Sequence, residues 1–387
     1  MTASRSLLLL AFASLAACKT LPVAQMPVAP ASAALVAVDP GQWKVLDYAR
    51  APMLDDVIDA LADRRVVFVG ESHERYDHHL TQLKIIEGLH ARGVPLAIGL
   101  EMIQRPFQQA LDAYVAGRIG ETEMLRRTEY FERWKFDFRL YRPIFLFARE
   151  QGIPLVALNA PVEVTKAIGK LGLDGLSPEL RRQLPRDFDR DVAGYRERLE
   201  AVFSGHPGGK KKDFEHFIDV QLAWDETMAE TAANYLRAHP RRSMVVLAGA
   251  GHVVEGTGIP QRLERRLDAP MATVLQTGSG IDLSGEPADY VVLSPPLELP
   301  PAGLIGVVLE QADRGMKIIS IAEGSHAAAA GVRKNDRVIE VNGAPIATLG
   351  DIRLQLWNRK PGDTVRLGVL RGRDPWARRL DLDVRLK

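Results

Sequence analysis

Val66-Val67-Phe68-Val69-Gly70-Glu71-Ser72-His73 sets four apolar, mostly β-branched residues directly before a glycine, a carboxylate, a hydroxyl and an imidazole. Such a run reads as a buried strand that delivers a polar tip. Met244-Val245-Val246-Leu247-Ala248 leads in the same way into Gly249-Ala250-Gly251-His252. Both strands therefore end in Gly-x-x-His, and two such tips can converge on one pocket.

Working outward, the pattern repeats. Leu96-Ala97-Ile98-Gly99-Leu100 ends at Glu101, Leu155-Val156-Ala157-Leu158 ends at Asn159, and Met271-Ala272-Thr273-Val274-Leu275 ends at Gln276. Segments of helical period separate these runs: Leu54, Val57, Ile58 and Leu61 before the first, and Leu80, Leu83, Ile86 and Leu89 after it, up to a stop at Gly93. Continuous apolar strands alternating with helices predict an α/β fold, a parallel-rich central sheet with helices on both faces. In such sheets ligands bind beyond the carboxyl ends of the strands, where His73, Glu101, Asn159 and His252 all fall.

A long, mostly helical insertion is expected between the third and fourth strands. Ahead of the Asn159 strand, Phe131 to Tyr141 holds five aromatics in eleven residues, a segment able to wall a pocket or fill a core. In the helix expected from Asp213 to His239, Gln221 and Asp225 fall on or beside the apolar stripe one turn apart. Inward polar groups need partners, and the strand-exit pocket offers them as readily as loop backbone does.

The chain has 387 residues, enough for more than one domain, and a formal net charge of +1. That balance supplies no field for a polyanion, so no nucleic-acid partner is expected. Arg5 followed by the apolar run from Leu7 has the form of an export signal over residues 1–18, too short for a permanent span. It meets Leu15-Ala16-Ala17-Cys18, which resembles a bacterial lipobox, and Cys18 is the chain's single cysteine. The resemblance implies lipidation of Cys18 and a membrane anchor. Lys19 in place of Asp implies the outer membrane, facing the periplasm. Residues 19–42, rich in Pro and Ala, read as a tether.

Pro295-Pro296 and Pro300-Pro301 mark residues 281–302 as a linker. Beyond it, Met316–Ile321, Arg337–Gly343 and Thr364–Leu370 read as short strands, with helix-like stretches at 327–330 and 349–358.

The region 43–280 resembles the ChaN-type haem-binding uptake lipoproteins, within the superfamily of Tiki, TraB and erythromycin-esterase proteins. The residues that carry this are Gly70-Glu71-Ser72-His73, Leu100-Glu101-Met102, Tyr141-Arg142-Pro143, Asn159-Ala160-Pro161, Gln221 to Ala229, Gly249-Ala250-Gly251-His252 and Gly258-Ile259-Pro260. Val162 stands where the family often has a basic residue. The region 303–387 resembles a PDZ domain of the bacterial HtrA type, a small β-sandwich or barrel. Gly306-Val307-Val308-Leu309 takes the place of its carboxylate-binding loop, and Gly324 to Val332 followed by Asp336-Arg337-Val338-Ile339 matches its Gly-Ser-Pro-Ala and Gly-Asp pattern. His326 and Asn335 replace the usual Pro and Gly. A PDZ domain implies a protein partner whose C-terminal peptide joins as an added strand.

Two functions follow. In one, the protein is a membrane-tethered factor of haem or iron uptake, with His73, Glu101, Tyr141, Asn159, Gln221, Asp225 and His252 around the ligand and His78 and His79 as further axial candidates. In the other, the pocket is that of a hydrolase, a peptidase or esterase. There His73 and His252 hold a divalent ion such as Mn, Co or Zn, or a histidine with Glu71 or Glu101 activates water directly. Residue chemistry alone leaves enzyme and binding protein both open, and a periplasmic scaffold whose business is the PDZ peptide stands as a third option.

Overall fold

The computed structural model describes residues 47, 49–204, 211–281 and 285–387. Cys18 and the expected signal and tether lie outside them. Each apolar run becomes a strand, and each helical period a helix. Leu54–Ala62 forms α1, burying Ile58 and Leu61, and leads into β1 at Val66–Glu71. Next come α2 (Tyr76–Ala91), β2 (Leu96–Gln104), α3 (Gln108–Val115), α4 (Glu121–Arg127), α5 (Tyr130–Arg133) and α6 (Phe138–Glu150). The third strand, β3 (Leu155–Asn159), precedes the expected insertion: α7 (Val162–Leu171), α8 (Pro178–Arg181), α9 (Tyr195–Ser204) and the long α10 (Lys211–Ala238). Then follow β4 (Ser243–Gly249), α11 (Ile259–Glu264), β5 (Met271–Gln276) and β6 (Tyr290–Val292).

These six strands form one sheet in the order β3-β2-β4-β1-β5-β6, with every pairing parallel. Alternation along the strands divides the core in two. Val67, Val69, Ile98, Leu100, Val245 and Leu247 pack with residues of α2 and α6. Val66, Phe68, Ala97, Met244 and Val246 face the other way, against Met228, Ala232 and Leu236 of α10 and Ile259 and Leu263 of α11. With β1 and β2 flanking β4, the two Gly-x-x-His tips and Glu101 leave the sheet side by side.

Within the stretch 281–302 read as a linker, three residues join the sheet. Tyr290, Val291 and Val292 pair with Val274, Leu275 and Gln276, while Leu299 packs on the core and Arg139 donates to the Pro300 carbonyl at 2.8 Å. Three residues of mixed exposure between proline-rich flanks carry little periodic signal, so the strand escaped the sequence reading.

The second sheet is antiparallel. It comprises β7 (Val307–Gln311), β8 (Met316–Ile321), β9 (Arg337–Val341), β10 (Ala344–Pro345), β11 (Thr364–Arg371) and β12 (Arg378–Arg385), with α12 (Leu349–Leu356) packed beside it. The path is β12-β11-β9-β8-β7, leaving β7 as an edge strand. Two expectations are corrected. Residues 327–330 form turns rather than a helix, because four alanines supply propensity without a cap or a stripe. Val307, Val308 and Leu309 belong to the edge strand, and only Gly306, at φ +78°, has loop conformation. Among the described residues no helix is long and apolar enough to cross a membrane.

Candidate functional site

Glu71 closes β1 and His73 lies two residues beyond. Extended chain returns to the same side every second residue, so the pair meets, His73 Nδ1 lying 2.6 Å from Glu71 Oε1. The first turn of α2 braces this tip. His78 Nδ1 accepts from the Ser72 amide at 3.0 Å, and its Nε2 reaches the Thr277 carbonyl at 3.0 Å. His79 Nε2 donates to the His73 carbonyl at 3.2 Å, and Nδ1 meets Gln82 at 3.1 Å. Both of these histidines are buried with both ring nitrogens engaged, so they position the tip and are not free ligands.

A second chain of contacts comes from four other elements, β2, β4 with the turn after it, α10 and α9. Glu101 of β2 accepts the Gly249 amide at 2.6 Å and stands 3.4 Å from His252 Nε2. His252 Nδ1 meets Asp225 of α10 at 2.6 Å, and the other oxygen of Asp225 accepts from the Tyr195 hydroxyl at 2.7 Å. Gly249 permits this closeness: a Cβ there would lie 3.0 Å from the His73 ring and 3.7 Å from the Glu101 carboxylate. Burial disfavours charge on His252, but the Asp225 and Glu101 carboxylates outweigh it and lift the imidazole pKa to about 10. Burial likewise works against ionised Glu101, yet the His252 charge and hydrogen bond hold it down at about 2. For His73, burial is overcome by the Glu71 hydrogen bond and the nearby Glu101 and Glu71 charges, so its pKa is raised. The cluster thus sets two imidazoles among carboxylates, with His252 held as the cation at neutral pH.

The aromatic-rich stretch splits between the two roles open to it. Phe131 and Phe138 fill the core, while Trp134 and Phe136 lie against His73 with ring centres at 4.7 and 4.8 Å. Tyr141 is fully buried, accepts from Trp134 Nε1 at 3.2 Å and donates to Glu71 Oε1 across 3.5 Å. Burial first, then the Glu71 charge, keeps its phenol pKa well above the usual value, so it remains a donor. Glu71 Oε2 is buried with no hydrogen-bond partner. It belongs to a set in which Glu71, His73 and Glu101 each offer one ligand atom, all within 4.8 Å of one another.

The structure therefore brings Glu71, His73, Glu101, Tyr141, Asp225 and His252 together. Asn159 stands one shell back, donating to the Glu101 carbonyl at 3.0 Å and accepting the Ala160 amide at 2.8 Å, so it fixes strand ends rather than facing the cluster. Gln221, one turn before Asp225, is half-buried and makes no hydrogen bond to the cluster. Tyr195 went unread because nothing periodic links the insertion to position 225. So did the buried knot beside it, where Arg262, Arg265 and Arg266 surround Glu226 at 3.3, 3.1 and 2.6 Å and tie the insertion to α11.

A His–Glu dyad beside a Glu–His–Asp chain can orient a metal-ligating imidazole, hold a cation between carboxylates, or move a proton to and from a bound group. Comparison with known proteins narrows the family. Residues 57–263 match the family model described as haem-binding uptake, Tiki superfamily, ChaN, and residues 303–384 match the PDZ domain. ChaN of Campylobacter jejuni, solved for its cofacial haem binding, superimposes with a TM-score of 0.51 at 17% identity, covering 63% of this chain and 92% of that one. Among curated proteins, the chloroplastic Protein RETICULATA-RELATED 5 of Arabidopsis thaliana is 25% identical over 228 residues, 54% of this chain. The periplasmic pH-dependent serine endoprotease DegQ of Escherichia coli is 33% identical over 70 residues, 18% of this chain. The chain spans 31% and 15% of the lengths of these two relatives. The chain belongs to the ChaN haem-binding uptake family of the Tiki superfamily, and it carries a PDZ domain in addition.

Proposed function

We propose that the protein binds haem, or iron delivered as haem, at the carboxyl ends of β1, β2 and β4, that it serves haem or iron uptake, and that its PDZ domain recruits a protein partner through a C-terminal peptide. A lipid on Cys18 would tether it to a membrane, with the outer membrane facing the periplasm as the expected site. The observation that carries the haem reading is His73. Its side chain is 29% exposed, its Nδ1 is held by a buried carboxylate, which leaves Nε2 as the ligating nitrogen, and Trp134 and Phe136 set aromatic surface beside it. These residues fit an iron porphyrin, with His73 as the protein's ligand. Tyr141 is buried with its hydroxyl engaged and supports Glu71 instead. When bound, the haem would supply an iron centre able to take an imidazole and hold a second ligand. Hemin titration of the chain from residue 19 onward is expected to give a saturable Soret shift that His73→Ala abolishes. A titration without saturation, or one unchanged in His73→Ala, removes this reading.

One observation favours a second reading, a divalent-ion hydrolase. Glu71 Oε2 has no partner although buried, and with His73 and Glu101 it forms a set of two carboxylates and an imidazole suited to Mn, Co or Zn. The ion would lower the pKa of a bound water. His252, lying beside Glu101 but outside that set, would act on protons rather than as the ligand expected from sequence. Elemental analysis of the same sample separates the readings: stoichiometric Mn, Co or Zn with no Soret shift selects the hydrolase.

A further inference from the structure

The PDZ helix α12 stands against the elements that cover His73. Its N-cap, Thr348, contacts Glu132 of α5 through its hydroxyl, and the Glu132 carboxylate lies directly against Gly350. Arg353 donates to the Lys135 carbonyl at 3.0 Å. Trp357, just past the helix, donates to Thr122 Oγ1 at 3.2 Å and packs edge-on against Phe138, with ring centres 5.5 Å apart.

Lys135 sits between Trp134 and Phe136, the two rings on His73. It has φ +74°, and Glu129, at the other end of α5, has φ +51°. Both are left-handed conformations that L residues adopt at a cost and keep only where the surroundings impose them. Arg353 is one of those impositions. A cleft of about 230 Å³, lined by residues such as Leu125, Tyr130, Glu132, Gly350 and Leu354, opens between α12 and α5, so the two are not packed together along their whole length.

On its other side α12 borders the open edge of the PDZ sheet. Gln311, the last residue of β7, donates to the Ala347 carbonyl beside the α12 cap at 2.8 Å, and Val308 and Leu349 are exposed apolar positions. A peptide strand added to β7 therefore arrives next to α12.

We propose that α12 and the Trp134–Phe136 turn form one mechanical unit, so that a C-terminal peptide seated on β7 displaces α12 and loosens the aromatic cover over His73. Coupling of this kind is reciprocal: whatever opens the cover also changes the PDZ edge. The inference rests on the reading of His73 as the ligand site only for its functional meaning, because the mechanical link is measurable without any ligand.

Hydrogen exchange of the full chain tests it. Arg353→Ala is expected to accelerate exchange at amides 134–137 about fivefold, the population change of one lost hydrogen bond. Arg353→Lys, which keeps a donor, is expected to restore most of the protection. Trp134→Ala is expected to accelerate exchange in 349–356 in return. Arg366→Ala, which removes an exposed pair between Arg366 of β11 and Asp383 of β12, serves as the control and should leave 134–137 unchanged. A pool of decapeptides with apolar C-terminal triplets and free carboxylates is expected to protect β7 and to accelerate 134–137. The proposal is overturned if Arg353→Ala leaves those amides within twofold of wild type, if Arg366→Ala moves them equally, or if the pool protects β7 without affecting them. A pool that leaves β7 unprotected removes the peptide from the proposal. Failure of hemin to bind touches none of these readouts.

Discussion

At the scale of single residues, the site is governed by the charge that His252 holds between the Glu101 and Asp225 carboxylates. His252 gains its partners only on folding, so its imidazole pKa rises from about 6.5 in the unfolded chain to about 10 in the folded one. A raised pKa means the stabilisation is complete below the unfolded value and is lost as pH climbs through the folded value. Glu101 has the opposite sign: its contribution stands above about 4.5 and disappears as pH falls through about 2. The two shifts share one interaction and count once. With no ligand bound, the urea midpoint is therefore expected to fall between pH 7 and 10, and His252→Gln should flatten that fall; an identical slope in both proteins contradicts the assignment. Half of this arrangement is readable in the sequence. Glu71 and His73 share a face by the period of extended chain. Asp225 stands out as an acid on an apolar stripe, but its meeting with His252 joins two elements that no local pattern relates.

At the scale of elements, β1 to β5 were legible because each is a short apolar run with a polar exit, and their parallel direction followed from the helices between them. What the runs do not announce is how an edge is protected. The outer edge of β3 is covered by one side chain: Gln108 donates to the Leu155 carbonyl and accepts the Ala157 amide, both at 2.8 Å, standing in for a neighbouring strand. Gln108→Ala leaves those backbone groups without partners, at an expected cost of about 1 to 3 kcal/mol. Its urea midpoint should drop accordingly, and light scattering should show association through the bared edge. A midpoint within error of wild type would mean that water replaces the amide without loss. Gln108 could not be singled out beforehand, because a glutamine in a helix is ordinary until its target strand is known.

At the scale of the whole molecule, the two sheets meet through Trp357, which is 7% exposed and joins the core of the first sheet although it follows the helix of the second. Trp357→Ala is expected to destabilise by about 3 to 5 kcal/mol. It should also split a single calorimetric transition into two as the PDZ sheet melts by itself. A single lowered transition would show that the remaining contacts keep the halves cooperative. The sequence separates these halves at a proline-rich stretch, and composition is a poor guide there, because three residues of that stretch complete the larger sheet. That strand, β6, bears on how the gene can be divided. A fragment ending at residue 280 would expose the flank of β5, and one beginning at 281 would carry an orphaned strand ahead of its PDZ sheet. Proteases that cut flexible connectors should find little purchase at residues 290–292, and recombination that shuffles PDZ units would have to preserve Tyr290-Val291-Val292 with the upstream half.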